Sequence, residues 1–172
     1  LVGSEMCIRD RSGTGKELVA KALHMFGKRS DNPFIAVNMA AIPKDLIESE
    51  LFGHEKGSFT GAHQKSDGKF KQAEKGTLFL DEIGDMPINL QARLLRVLAE
   101  KEVMRIGSSK TKHIDIRVIC ASHRNLRDLV EGGEFREDLY YRVAGITFTM
   151  PSLREREDLK WLINRILAKQ HK

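Results

Sequence analysis

Apolar positions along the chain form two kinds of pattern, short continuous runs and longer stripes at helical spacing. The continuous runs predict buried β-strands at residues 34–37, 77–80, 116–121 and 146–150. The stripes predict helices at residues 17–26, 43–51, 89–101, 126–131 and 157–169. Because strands alternate with helices, the pattern indicates an α/β layer fold with a mainly parallel sheet.

Two stretches follow neither pattern. Residues 53–68 contain four glycines among polar residues, which predicts a loop or hairpin excursion outside the core. Residues 1–11 show no helical or strand periodicity and no signal-peptide layout. Within them, residues 6–11 (MCIRDR) resemble a translated sequencing-adapter scar. We therefore expect the native sequence to resume at Ser12.

Composition limits the possible functions without choosing among them. The chain has 172 residues, 41% hydrophobic and 31% charged, which suits one soluble domain with a buried core. No apolar run approaches the roughly 18 residues of a membrane span, so we expect a cytoplasmic protein. The net charge of +5 is compatible with nucleotides or nucleic acid and indicates neither. Cys7 and Cys120 lie far apart in sequence without metal-ligand spacing, which favours reduced thiols.

Candidate phosphate-binding residues open the first predicted helix. Glycines let successive backbone N–H groups point inward at a helix N-terminus, and Lys16 supplies an ammonium group for the terminal phosphates. The P-loop pattern GxxxxGK(S/T) needs a glycine and a hydroxyl where this chain has Asp10 and Glu17. A glycine turn that caps a helix is therefore an alternative. The candidate nucleotide-binding residues are Ser12, Gly13, Thr14, Gly15, Lys16 and Glu17.

Two acids end the apolar run at residues 77–80. A buried strand followed by Asp81 and Glu82 resembles a Walker B segment, because it delivers two carboxylates to the sheet edge where α/β proteins bind ligands. Asp81 would hold Mg²⁺, directly or through water, and Glu82 would orient and polarise the attacking water. An ordinary strand-to-loop transition is the alternative. The presence of both Lys16 and the acidic pair favours the ATPase interpretation.

Several longer segments resemble one family. Residues 57–62 read Gly57-Ser58-Phe59-Thr60-Gly61-Ala62, similar to the GAFTGA signature of sigma-54-dependent transcription activators of the AAA+ superfamily, with Ser58 in place of alanine. Further matches lie at residues 76–83, 91–98, 135–142 and 151–156. The resemblance implies a three-layer P-loop NTPase (AAA+) core with a mainly parallel sheet. Residues 122–126 look most like the acetoin-type catabolic regulators of this family.

The resemblance also implies roles at single positions. Asn38 matches a residue that switches Glu82 between engaged and disengaged states, with a turn-capping asparagine as the alternative. Arg136 and Arg142 match arginine fingers that reach the γ-phosphate of a neighbouring subunit, with a solvated helix face as the alternative. The sensor I position is occupied by Ser122 and His123.

For the glycine-flanked loop, the resemblance implies contact with sigma-54. Phe59 on an excursion would form an exposed apolar tip, and with Thr60 it would contact sigma-54 when the nucleotide state raises the loop. A plain hairpin turn is the alternative.

The resemblance further implies a homo-oligomeric ring, expected to be hexameric, with ATP and Mg²⁺ between subunits and sigma-54 and RNA polymerase as partners. Residues 12–155 would form the ATPase core and residues 156–172 the start of a helical lid. Most of that lid would be missing, together with the C-terminal helix-turn-helix that contacts DNA. Because Asp10 places a carboxylate near the phosphates, we expect this fragment to hydrolyse ATP poorly even where its native parent is active.

Two other functions fit parts of the sequence. A nucleotide-binding scaffold without turnover would keep the phosphate loop, but it would have no use for Phe59 and Thr60. A DNA-binding module would explain the positive charge, but the sequence contains no helix-turn-helix and no aromatic–basic interleaving. Beyond Mg²⁺ held with the nucleotide, we expect no metal site.

Overall fold

The part of the chain that the computed structural model describes, residues 6–9 and 15–149, is an α/β protein. Its strands are β1 (Met6–Arg9), β2 (Phe34–Asn38), β3 (Gly53–His54), β4 (Ser66–Asp67), β5 (Thr77–Asp81), β6 (Glu102–Met104), β7 (Thr111–His113), β8 (Arg117–Ser122) and β9 (Ile146–Thr149). Its α-helices are α1 (Lys16–Met25), α2 (Ile47–Phe52), α3 (Lys69–Gln72), α4 (Ile88–Glu100), α5 (Leu126–Glu131) and α6 (Glu137–Val143). Short 3₁₀ helices follow β2 at Met39–Ala41 and β5 at Ile83–Asp85.

A five-stranded sheet forms the centre of the molecule, in the order β2-β5-β8-β1-β9. Each pair of neighbours in it is parallel. Strands β5 and β8 lie inside the sheet and are almost entirely buried, as expected when both faces of a parallel sheet are covered. The predicted α/β fold with a parallel sheet is therefore confirmed.

The two faces of the sheet support different layers. On one face α1 contributes Ala20 to a small apolar cluster with Ile8, Phe79 and Ile119. The other face carries the larger core, in which the alternate strand residues Leu78 and Leu80 pack with side chains from helices α2 to α6. This alternation gives a helix–sheet–helix sandwich of three layers.

Residues 6–9 form a strand, although residues 1–11 show no strand periodicity in the sequence. Strand β1 lies between β8 and β9, with Cys7 opposite Cys120, and Ile8 is fully buried. Both cysteines are buried. Met6, Cys7 and Ile8 are buried in a strand that has a parallel neighbour on each side, and they show no hydrophobic alternation, which explains why the sequence pattern missed this strand. A non-native origin for residues 1–11 stays a prediction.

Other predicted elements differ from the structure mainly at their ends. The helix expected from Pro43 begins at Ile47, because residues 43–46 form a separate turn with Leu46 N–H bonded to the Pro43 carbonyl. The excursion at residues 53–68 is a hairpin, as predicted, with β3 and β4 antiparallel. Helices α3 and α6 and the β6–β7 hairpin were not predicted. The predicted helix at residues 157–169 lies outside the described residues, among which no helix is long and apolar enough to cross a membrane.

Candidate active site

The start of α1 and the end of β5 bring three predicted residues together. Helix α1 begins at Lys16, directly after Gly15, whose φ of 92° is a left-handed conformation that glycine adopts readily. The Lys16 ammonium lies 2.8 Å from Glu82 Oε1 and 4.0 Å from Asp81 Oδ1. Lys16 is only 6% exposed, so this cluster of charges is largely removed from water.

The remaining residues of the predicted phosphate loop divide into two groups. Ser12, Gly13 and Thr14 lie outside the described residues. Glu17, where the P-loop pattern has a hydroxyl, is exposed and forms an ion pair of 2.8 Å with Lys21 one helical turn later. The Glu17 side chain is therefore held on the solvent side of α1.

Glu82 sits in an unusual backbone conformation for a residue with a side chain. Its φ of 55° and ψ of 48° are left-handed, which costs free energy outside glycine and is often found at functional sites. The 3₁₀ turn that follows holds this conformation, since Asp85 N–H donates to the Glu82 carbonyl at 3.0 Å. Oε2 of Glu82 accepts from the His123 backbone N–H at 2.9 Å and lies 2.6 Å from His123 Nδ1. Lys16 and His123 thus hold the carboxylate from both sides.

Burial and hydrogen bonding act in opposite directions on the two acids. Burial alone would raise the pKa of Glu82, but the bonds from Lys16 and His123 outweigh it and hold that pKa below its usual value. For Asp81, burial raises the pKa above its usual value, and the more distant Lys16 ammonium only partly opposes this. Glu82 is therefore kept ionised, as a residue that orients an attacking water must be.

The two predicted sensor residues behave differently. The Ser122 hydroxyl is occupied in a tight turn, where it donates to the Arg124 carbonyl at 2.9 Å and accepts from the Arg124 N–H at 3.1 Å. Only His123 joins the Glu82 cluster. Glu82, Asp85 and His123 also offer one ligand atom each within 4.8 Å of one another, the sole such group of three in the part of the chain described. This edge of the sheet is where a divalent cation would find ligands.

Asn38 adopts the turn-capping geometry that the sequence left open. It ends β2 directly opposite Asp81. Its Oδ1 accepts from the Ala40 N–H at 2.9 Å and so caps the 3₁₀ helix at Met39–Ala41.

The two predicted arginine fingers lie on or next to α6. Arg136 precedes this helix and donates two bonds to the Asp138 carboxylate, at 3.0 and 2.7 Å. This pairing holds the pKa of Asp138 below its usual value. Arg142 donates to the Leu98 carbonyl at 2.9 Å. Because α6 packs on α4, both arginines are placed by the helical layer and not by the strand end that carries Glu82.

The Gly57–Ala62 loop is a compact turn at the tip of the β3–β4 excursion. Gly57 N–H donates to the Ala62 carbonyl at 2.8 Å, and Ala62 N–H donates to the Phe59 carbonyl at 3.0 Å. Gly57 and Gly61 have φ of 78° and 100°, which explains why both positions are glycine. Phe59 is 39% exposed, and its inner side packs edge-on against His54 with ring centroids 5.0 Å apart. Thr60 is exposed.

A second hairpin, β6–β7, supports this loop, and sequence reasoning missed it. Ile106, just after β6, exchanges backbone hydrogen bonds with the base of the excursion, to Gly53 and from Glu55, both at 3.0 Å. Arg105 forms ion pairs with Glu55 and Asp67 across the gap between the hairpins. The turn residues 107–109 (Gly-Ser-Ser) were a sequence signal for this hairpin, but the exposed strand β7 has no apolar alternation to support it.

Comparison with known proteins gives a consistent family. The family described as the Sigma-54 interaction domain matches residues 2–149. The DNA-binding transcriptional regulator NtrC of Azospirillum brasilense is 56% identical over 170 residues, which are 97% of this chain and 35% of that protein. The protein of the same name from Escherichia coli (strain K12) is 58% identical over 161 residues, 93% of this chain and 34% of that protein. The chain thus spans about a third of the length of these relatives. They do not support the predicted acetoin-type subgroup.

Solved structures agree with the fold. NtrX from Brucella abortus in complex with ADP superimposes with a TM-score of 0.89 at 36% identity, covering 98% of this chain and 36% of that one. The P-loop NTPase domain of a sigma-54 transport activator from E. coli has a TM-score of 0.55 at 18% identity, covering 87% of this chain and 85% of that one, and supports the fold alone. Together with the match to the family over most of its length, these likenesses show that the chain belongs to the Sigma-54 interaction domain family of NtrC-type transcriptional regulators.

Proposed function

We propose that the protein carrying this chain hydrolyses ATP in order to remodel the complex of sigma-54 with RNA polymerase and so promote opening of promoter DNA. The observation that carries the proposal is the meeting of Lys16, Asp81 and Glu82 at one point of the sheet edge, in a chain that also presents the Gly57–Ala62 loop. The ADP complex and the ATP complex of the related B. abortus NtrX support nucleotide binding at this fold.

Lys16 and His123 each hold one oxygen of the Glu82 carboxylate. The phosphates of ATP compete for the Lys16 ammonium, which now lies 2.8 Å from Glu82 Oε1. Once Lys16 turns to the phosphates, Oε1 is free to accept a hydrogen bond from water, while His123 still holds Oε2. The carboxylate therefore keeps its orientation at the moment when it must align the attacking water.

Asp81 is the best-placed ligand for Mg²⁺. Its carboxylate is 23% exposed, beside the Lys16 ammonium that would bind phosphate, and hard carboxylate oxygens suit this cation. When bound with ATP, Mg²⁺ would neutralise charge on the phosphates. The residues that would bind the nucleotide itself are Ser12, Gly13, Thr14, Gly15, Lys16 and Glu17, with Ser122 and His123 sensing the γ-phosphate.

Hydrolysis would further require a ring of subunits, proposed as a hexamer. Arg136 and its partner Asp138 are both exposed, so exchanging that carboxylate for a neighbour's phosphate would cost little. Arg142 would act as the second finger. Asn38, opposite Asp81, would leave its cap on the Ala40 N–H to act on Glu82 when the nucleotide state changes.

The Gly57–Ala62 loop would contact sigma-54 and transmit to it the conformational change that ATP hydrolysis drives. Phe59 and Thr60 form its exposed tip, and an aromatic side chain that is partly exposed suits a protein contact. The loop stands on two hairpins outside the central sheet, so a change in its position would leave the pairing of the sheet strands intact.

Further expectations about the chain itself belong to this proposal. The ATPase core would span residues 12–155 of a cytoplasmic protein whose relatives are DNA-binding regulators, and residues 156–172, the proposed start of a lid, lie outside the described residues. Residues 1–11 are not native, and Asp10 weakens phosphate binding by charge repulsion. Titration with Mg²⁺-ATP tests the last point, since Asp10→Gly combined with Arg11→Glu should restore binding. Equal affinity of the original and the repaired chain would contradict it.

Lys16→Ala in the full-length protein tests the proposed ATPase. We expect phosphate release to fall by about a hundredfold or more, because electrostatic stabilisation of the transferring phosphoryl group is lost. Lys21→Ala is the matched control, since Lys21 lies on the same helix and pairs with Glu17 at the surface. Undiminished phosphate release in Lys16→Ala would overturn the mechanism. Nucleotide binding without any release in the original protein would favour the scaffold function.

A further inference from the structure

One buried amide links the strand end that carries Glu82 to the segment that carries Arg136. Gln91 lies in the first turn of α4 and is fully buried. It occupies the core face of that helix, one and two turns before Leu94 and Leu98. A polar side chain at such a position is retained only where its hydrogen bonds are satisfied.

The partners of Gln91 use both ends of its amide. Nε2 donates to the backbone carbonyls of Met86 and Glu134, each at 2.9 Å. Oε1 accepts from the backbone N–H of Arg136 at 2.8 Å. Two carbonyls on one side and an N–H on the other fix which end of the amide is nitrogen. The side chain therefore joins two main-chain segments that have no covalent connection nearby.

Both segments lead directly to groups of the proposed active site. Met86 follows the 3₁₀ helix Ile83–Asp85, which itself follows Glu82. The Met86 N–H donates to the Ile83 carbonyl at 3.2 Å. On the other side, Arg136 precedes α6 in extended conformation, with its backbone N–H held by Gln91. The backbone from which the Arg136 guanidinium projects is thus fixed relative to Glu82 of the same chain.

A surface contact runs beside this buried link. Arg124 donates two bonds to the Glu134 carboxylate, at 3.1 and 2.9 Å, and lies 3.9 Å from Asp85. These groups are partly exposed, so solvent screens the interaction. The amide is the stronger restraint, because its loss would leave the buried Met86 carbonyl, together with the partly buried Glu134 carbonyl and Arg136 N–H, without the partner that Gln91 supplies.

We infer that Gln91 is a positioning residue, which sets the Arg136 finger of one subunit for hydrolysis at its neighbour's site. The inference rests on the proposed function, in that Arg136 acts in trans. It adds that Gln91 fixes the position of Arg136 relative to Glu82 of the same subunit. A change at one nucleotide site therefore reaches the next site through this amide.

Mixed oligomers of the full-length protein test the inference. Gln91→Met keeps the side-chain length and removes the hydrogen bonds, and we expect its ATPase rate to fall close to that of Arg136→Ala, with ATP affinity unchanged. Its own Lys16–Glu82 site stays competent. Mixing it with Glu82→Gln, which is inactive but supplies intact fingers, should therefore give more ATPase than the sum of the separate proteins. Mixing Gln91→Met with Arg136→Ala should give no gain.

Controls separate failure of the inference from failure of the proposed function. Arg136→Ala mixed with Glu82→Gln must gain activity if Arg136 acts in trans, and no gain there would overturn the trans finger and, with it, the inference. A gain in that mixture but none for Gln91→Met with Glu82→Gln would overturn the inference alone. Gln72→Met removes an exposed glutamine that also donates to a carbonyl, that of Asp67 at 2.9 Å, and should leave ATPase unchanged.

A conservative variant guards against misfolding. Gln91→Glu keeps the shape, an acceptor for the Arg136 N–H and, when protonated, one O–H donor for a carbonyl, so we expect activity between that of the original protein and that of Gln91→Met, again restored by Glu82→Gln. If Gln91→Met does not assemble, the same mixtures are made with Gln91→Glu. Failure of both variants to assemble would identify Gln91 as a folding residue and overturn the inference.

Discussion

The end of β5 and the Gly57–Ala62 loop are held in place in contrasting ways. At the end of β5, Glu82 is buried and bonded to Lys16 and His123, which come from elements distant in sequence. The loop keeps its shape through its own backbone bonds and is attached to a second hairpin outside the central sheet. The first region is thus part of the central sheet, whereas the second lies outside it.

This contrast assigns different physical roles to the two regions. Charged groups interact strongly where water is excluded, so the Lys16–Glu82 pair is sensitive to the arrival of phosphate charge. The loop has little buried area of its own and depends on the Arg105 ion pairs and on Phe59 packing against His54. We therefore expect changes at the strand end to affect chemistry and changes at the hairpins to affect partner contact.

The largest expected effect is that of Glu82→Gln. The substitution preserves the shape of the side chain but removes the charge that aligns water, so phosphate release should fall by about 10²- to 10⁴-fold. Nucleotide binding, followed with a fluorescent ATP analogue, should persist because Lys16 is no longer paired with the Glu82 carboxylate. Glu131→Gln, on the exposed side of α5, serves as the control. A rate of phosphate release within tenfold of the original would contradict the assignment of ATP hydrolysis to the end of β5.

A smaller and different effect is expected from Arg105→Met. Arg105 is 11% exposed and forms ion pairs with Glu55 and Asp67, so its loss should loosen the two hairpins from each other. Sigma-54 binding should weaken by roughly tenfold, equivalent to about 1.4 kcal/mol, with basal ATPase little changed. Limited proteolysis should cut within residues 53–68 more readily. Arg29→Met breaks a surface ion pair with Asp115 and should neither weaken sigma-54 binding nor increase proteolysis within residues 53–68. Equal effects of the two variants would contradict the assignment of partner contact to the hairpins.

The sequence allowed the catalytic region to be predicted better than its supports. The apolar runs of β5 and β8 are continuous because these strands are buried on both faces, and the run of β5 located Asp81 and Glu82 at a sheet edge. From the sequence, His123 could be assigned only to the sensor I position. Its contact with Glu82 could not be predicted, because the two residues lie 41 apart in sequence. Resemblance, more than periodicity, identified the Gly57–Ala62 loop.

What escaped prediction depends on contacts across the fold. In the sequence, Gln91 stands out only as part of the family match at residues 91–98. A polar residue next to an apolar stripe gives no sign that the carbonyls of Met86 and Glu134 accept hydrogen bonds from it. Strands β6 and β7 are three residues each, and β7 is exposed throughout, so they carry no period. Short elements stabilised by neighbours leave little signal in the local sequence.

The smallest expected effect is a stabilisation. The Ser58 hydroxyl is buried with no hydrogen-bond partner among the residues that the structure describes, so Ser58→Ala should raise the free energy of unfolding by about 1 kcal/mol. Thermal unfolding should shift upward by roughly 2–4 °C, without loss of ATPase. Ser108→Ala provides the contrast, because the Ser108 Oγ accepts from the Lys110 N–H at 3.1 Å and should not be stabilising when removed. A lower unfolding temperature for Ser58→Ala would contradict the prediction.

Nucleotide-dependent binding of sigma-54 tests most directly whether the strand end and the loop work together. Binding would be measured by mobility shift of labelled sigma-54 with the full-length protein, without nucleotide, with ADP, and with a transition-state analogue of ATP hydrolysis. We predict a complex only with the analogue, and its loss in Phe59→Ala at unchanged ATPase. Binding that is equal in all three conditions, or that survives in Phe59→Ala, would contradict the coupling between nucleotide state and the loop.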